Sequence, residues 1–388
     1  MRRLAPLALV LLLAGCASGG KPHPFRIALR PDDEAGDVYR LEWRDSKTAK
    51  PIEIGYYPPT QLRSPDRKAV AFGGEVGLKI VDLVHRSFFV PHLGESCSGW
   101  PMLWRRQDRL IIGLWCGSAH VSTRSELLVL DPGRRRFVAR RQIGFGPSAT
   151  AGALLVLVTS PPLGPHDVPG TAIREEREGP ASLLRVHADG HVDETGLPLR
   201  AGSNDDRTFN RSIALVVDEK HRQAYVLGEG EGCARVDLHT LDVEWHRLPH
   251  AFDAQPGLAS KPEPHRGTAN PSRDLDRSAY WLGGGRVAVT GQDTWSPHGF
   301  DRTAPAGLKI LDTRTWTVRG VNRLVSTLTL VRGRLIATGP RAGLTVYDLN
   351  GRLLLRRYPG KEVWFQGVVG KRIRVSISGT GLATVDLP

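Results

Sequence analysis

The chain has 388 residues, 40% of them hydrophobic, with 43 Gly, 28 Pro and a formal charge of +13. That length suits one large domain or two ordinary ones. The Gly and Pro content among many Val, Leu and Arg argues for short strands and tight turns rather than long helices.

Met1-Arg2-Arg3 is a basic start, and Leu4 to Leu13 is an apolar run broken only by Pro6. The run is shorter than the ~20 residues a membrane span needs, which is the layout of a secretory signal. Leu13-Ala14-Gly15-Cys16 resembles the lipobox of bacterial lipoproteins. The resemblance implies cleavage before Cys16, acylation of its thiol, and a membrane partner held through that lipid. Ala17-Ser18 lacks the aspartate associated with inner-membrane retention, which implies the outer membrane, facing the periplasm, in a Gram-negative cell. Residues 1–15 are therefore read as signal peptide, 16–35 as lipidated cysteine and tether, and 36–388 as one domain. Export makes nucleic acid an unsuitable counterpart for the positive charge, despite its basic footprint. Anionic headgroups or acidic polymers fit better; an arginine-rich, merely solvated surface is the plainer account.

Cys97 and Cys116 bracket a hairpin that turns within Arg105 to Asp108. Folding it about Arg106 and Gln107 sets the two cysteines opposite each other. Cross-strand Cβ atoms lie ~4.5–5.5 Å apart, close to disulfide geometry, so a bridge is expected in an oxidising compartment.

A six-residue pattern then recurs, an apolar alternation ending in aspartate and a turn: Gly77–Asp82, Glu126–Asp131, Ser182–His187, Gly232–Asp237, Gly307–Asp312, Gly343–Asp348 and Gly381–Asp386. Alternate apolar residues pack one face of a sheet, and the aspartate can bond turn amides. A strand follows each copy and a hairpin precedes it, giving a four-stranded antiparallel meander A-B-C-D. Such a period signals a β-propeller. Seven copies predict seven blades, with an N-terminal strand (Val38–Trp43 or residues 51–56) completing the last; eight blades follow if residues 37–57 make a fuller unit.

Ser64-Pro-Asp-Arg-Lys68 before Gly77-Leu-Lys-Ile-Val-Asp82 resembles repeats of YVTN-type and WD-repeat-like bacterial propellers, with Arg67 where those families carry glycine. The resemblance implies architecture and leaves function open, since propellers host binders, lyases and lactonases alike. Cys233 falls on a leucine position of the repeat and reads as a buried small hydrophobe.

In a meander the A–B and C–D turns share one edge, and the B–C and D–A connections share the other. The long segments (117–125, 161–181, 249–277 and 291–306) all fall on the second edge, and long connections are usually functional or disordered. They carry His120, His166, Asp167, Arg174, His265, Arg273, Asp293, Trp295, His298 and Arg302, a set suited to a protein or polysaccharide partner, although solvated polar loops look the same. Trp295 stands out, because an aromatic in such a loop can stack on a sugar or clamp a partner. Gly228-Glu-Gly-Glu-Gly232 joins strands, so it lacks the helix start of a phosphate loop. His246 and His250 have zinc-like spacing but lie at a strand end. No cofactor or metal site is legible, and a monomeric ring is expected. The leading expectation is a non-enzymatic binding scaffold; the alternative is a lyase- or lactonase-type enzyme with a site at the channel mouth.

Overall fold

The computed structural model describes residues 24–32, 36–55, 60–74, 77–118, 121–144, 146–161, 179–203, 209–211, 213–228, 232–259, 263–264, 273–295 and 300–388. Cys16 and the signal segment lie outside them. The chain divides into two compact units, residues 1–142 with 188–191, and the remainder. Among the described residues no helix is long and apolar enough to cross a membrane.

The architecture is all-β and antiparallel apart from one short parallel pairing. Among the described residues eight successive meanders account for nearly all of it. Five have four strands, spanning residues 60–89, 97–142, 148–203, 214–247 and 327–357; one, spanning 273–322, has five because its third strand is split into Phe300–Pro305 and Leu308–Asp312; two have three, spanning 25–55 and 363–386. The N-terminal strand expected to complete the last meander belongs instead to a sheet of its own: among the described residues Phe25–Asp32 pairs with Gly36–Trp43, which pairs with Ile52–Gly55, while Val363–Val369, Arg372–Ile377 and Gly381–Asp386 form a separate three-stranded sheet. Residues 25–55 contain three strands of their own and satisfy their ladder locally.

The alternation written in the repeats builds the core. Leu78, Ile80 and Val81 are buried, as are Leu344 and Val346 at the matching positions of a later copy. One apolar cluster lies between each consecutive pair of meanders within a unit. Tyr39, Leu41 and Ile54 meet Val70 and Phe72, for example, and Leu183, Leu197 and Leu199 meet Ala224, Val226 and Val236. Face-to-face packing of this kind follows from a two-residue period.

The motif aspartates bond their turns as the repeat implies. Asp82 Oδ1 accepts from the amides of Val84 (2.8 Å) and His85 (2.9 Å). Asp237 does so from His239 and Thr240 (2.7 and 3.1 Å), and Asp348 from Asn350 and Arg352 (2.8 and 2.9 Å). In the third copy His187 replaces aspartate, and Asp189 takes over, accepting from the His191 amide at 3.0 Å. Arg67, at the position where similar repeats carry glycine, adopts φ 61°, the left-handed conformation that glycine would reach without Cβ strain. Meanders two and three share one sheet through a single pair, Gly74 and Gly99. A Cβ on neighbouring Gly73 would lie 2.1 Å from the Gly99 carbonyl oxygen, so the approach depends on glycine.

Candidate functional site

Arginines tie successive meanders together along the tight-turn edge. Arg185 Nη1 donates to the carbonyls of Leu238 (2.8 Å) and His239 (2.6 Å) of the next meander. Arg319 reaches the Asn350 carbonyl (2.6 Å), Arg332 that of Gly370 (2.6 Å), and Arg86 bonds Asp45 (2.7 Å). These four arginines are therefore engaged in holding meanders together.

The other edge is more strand-like than its sequence implies. Residues 117–125 are read above as a connection, yet Arg109–Ser118 and Val121–Asp131 pair up to their ends, with a bulge at Ser122 to Arg124. The 291–306 segment likewise folds back on itself: Arg286–Trp295 runs on past its pairing with Leu308–Asp312 and bonds Phe300–Pro305. The ladder hydrogen bonds available to extended backbone explain both cases.

Cys97 and Cys116 are directly opposite and disulfide-bonded, closing the open end of their hairpin at this edge. The turn itself sits one residue later than expected, with Arg106 opposite Arg109, and bulges at Pro101/Leu103 and Trp104/Arg106 restore the cysteine register. Cys233 is fully buried, and burial pushes its thiol pKa well above the ordinary value.

The expected rim residues divide into three groups. His120, His166, Asp167, Arg174, His265 and His298 lie outside the described residues. Arg273, Trp295 and Arg302 occupy one row across three strands, Trp295 being the register partner of both arginines. Asp293 has to be removed from the exposed set. It is 2% exposed and its Oδ1 accepts from Arg277 Nη1 at 2.8 Å. Arg277, itself buried, also donates to the carbonyls of Phe252 (2.8 Å) and Asp276 (2.7 Å). Beside this pair Lys309 donates to the Asp253 carbonyl at 3.2 Å, and burial first, then the Arg277 charge, push its ammonium down to about 8. Asp293 therefore has a structural partner, and its carboxylate is not offered to solvent.

Sequence reasoning missed a groove between the fourth and fifth meanders. It has a volume of about 550 Å³ and is lined by Pro180, Leu197, Pro198, Leu199, Arg200, Trp245 and Arg247. Pro180 opens the C strand Gly179–Val186, Leu197 to Arg200 lie late in the D strand Val192–Ser203, and Arg247 ends the D strand Val243–Arg247. All of them therefore sit on the long-connection edge. Leu197 and Leu199 form a buried floor, Trp245 is half-buried against the same cluster, and Arg200 and Arg247 are exposed. The Val243/Trp245/Arg247 alternation carried a signal, an aromatic and a cation on one strand face. The opposing face, about fifty residues earlier, could not be read from it.

Among the described residues no group of three or more His, Cys, Asp or Glu side chains is placed to hold a metal ion. His246 and His250 illustrate this, since His246 stacks on Trp316 while His250 Nδ1 lies 2.7 Å from Asp253.

The site and fold define a chain of antiparallel meanders in which tight turns and long connections lie at opposite ends of the strands. No protein-family model matches the sequence, and no curated protein matches it. Similar solved structures include BamB from Moraxella catarrhalis, at 12% identity over 93% of each chain with a TM-score of 0.47. Dihydro-heme d1 dehydrogenase NirN matches at 12% identity over 90% of this chain and 68% of its own, with a TM-score of 0.48. A europium-containing methanol dehydrogenase matches at 10% identity over 93% and 82%, with a TM-score of 0.46. At those identities and scores the likeness assigns no activity.

Proposed function

We propose that this chain is a lipid-anchored envelope protein, tethered through Cys16 to the outer membrane on its periplasmic side. Its meanders close into a β-propeller ring that works as a binding scaffold for a protein or polysaccharide partner. Eight meanders support eight blades in place of seven. The observation that carries the binding role is the groove on the long-connection edge, where an aromatic ring, an apolar floor and two exposed cations converge. Apolar pockets with a few convergent polar groups are the default binding sites of folded proteins.

Two experiments test the two parts. Cys16→Ser should release the protein from the membrane fraction or block its maturation; unchanged membrane retention would refute the anchor. In the lipidated chain, Pro198 replaced by a photo-crosslinking phenylalanine should give discrete adducts in intact envelopes, while the same residue at Arg134, on the tight-turn edge, should give none. Equal labelling from both edges would remove the binding role from the groove.

A further inference from the structure

Resting on the scaffold reading, we infer that the groove between Val192–Ser203 and Val243–Arg247 takes an extended, acidic peptide segment in which apolar side chains alternate with carboxylates. The lining divides cleanly by chemistry. Leu197, Leu199, Pro180, Pro198 and the ring of Trp245 supply apolar surface, and among the described residues the charged groups lining the groove are the guanidiniums of Arg200 and Arg247. Among the described residues no carboxylate pairs with Arg247, which is exposed at the end of its strand. Guanidinium forks match carboxylates in two-point geometry. An apolar floor with the Arg247 fork at its rim is complementary to a strand whose side chains point alternately into the floor and toward the rim.

The same lining argues against a sugar polymer. Sugar rings present hydroxyls that need hydrogen-bond partners, and burying one without a partner costs about 1–3 kcal/mol. Among the described residues no Asp, Glu, Asn, Gln, Ser or Thr side chain lines the groove. A tryptophan face alone would bind a sugar, but the leucine floor beside it would leave the hydroxyls unpaired.

The test is fluorescence anisotropy on the whole mature chain. The probes are a labelled octapeptide of alternating Leu and Asp, its counterpart with Lys for Asp, and a hexuronic acid trimer as competitor. The acidic peptide should bind, weaken as salt is raised, and lose about ten-fold or more in affinity in Arg247→Glu, because an attractive charge becomes repulsive. Trp245→Ala should weaken it comparably. Arg247 is exposed, so Arg247→Glu should leave the unfolding midpoint unchanged and report on binding alone. Failure of the acidic peptide to bind, equal binding of the lysine peptide, indifference to Arg247→Glu, or displacement by the hexuronic acid trimer would each overturn the inference. Adducts from position 198 that persist while the acidic peptide fails would retire this partner chemistry and leave the scaffold reading standing.

Discussion

At the tight-turn edge motif aspartates such as Asp82, Asp237 and Asp348 are spent on their own turns, and arginines such as Arg185 and Arg319 bond the carbonyls of the neighbouring meander. At the long-connection edge the polar groups are arranged differently. One ion pair, Arg277 with Asp293, is fully buried; one disulfide closes a hairpin from its open end; Arg200 and Arg247 flank an apolar groove. The same strands run between both edges, so the difference lies in how polar groups are satisfied. The first edge uses repeated bonds, from an aspartate to its own turn and from an arginine to carbonyls of the next meander. The second uses single, non-repeated devices, which is where a scaffold can vary without disturbing the sheets.

The largest effect should come from the buried pair. Arg277→Met removes the buried cation that Asp293 is paired with, and should cost about 3–5 kcal/mol of stability. Adding Asp293→Leu should recover most of that loss, measured by urea unfolding; no recovery would mean that Arg277 acts chiefly through its carbonyl bonds to Phe252 and Asp276. Opening the disulfide ranks next. Cys97 and Cys116 are 19 residues apart, and Cys97→Ala with Cys116→Ala should cost about 2–4 kcal/mol. An unfolding midpoint equal to that of the parent would show that the hairpin is held by its ladder alone.

Acid should act on the opposite edge. Asp312 is held down to about 2 by the Arg314 side chain and turn amides, and Asp237 and Asp348 are lowered by backbone amides. Their folded pKa values lie below the unfolded value of about 3.9, so their stabilisation is complete above that pH and fades as pH falls toward 2. Asp348→Asn should therefore flatten the loss of stability between neutral pH and acid. An identical pH profile in the variant would detach that turn from acid sensitivity. The smallest effect is Arg67→Gly. Relief of the left-handed strain should outweigh the added unfolded-chain freedom by about 0.5–1 kcal/mol, read as a small rise in melting temperature.

The two edges were not equally legible in the sequence. Turn aspartates such as Asp82 act on amides two and three residues away, so the repeat alone discloses them. The Cys97–Cys116 pairing was also readable, because a hairpin register is nearly local, although the two bulges that adjust it were not. Asp293 was placed among the rim candidates because its segment reads as a long connection; the strand Arg286–Trp295 instead continues through it, and Arg277 on the other strand of the same hairpin holds it at 2.8 Å. The groove stayed hidden for a related reason: Leu199 and Trp245 belong to different meanders, and only packing between meanders brings them together. Residues 25–55 hold three pairing strands of their own where one strand was expected, a count that the weaker N-terminal alternation concealed.

The most direct test of the contrast between the edges is to reverse one charge on each in the lipidated chain. Arg247→Glu and Arg134→Glu would be compared for the yield of photo-adducts formed from position 198 in intact envelopes. A groove that works as the binding surface predicts loss of adducts in Arg247→Glu and full yield in Arg134→Glu. Equal yields in the two variants would contradict it.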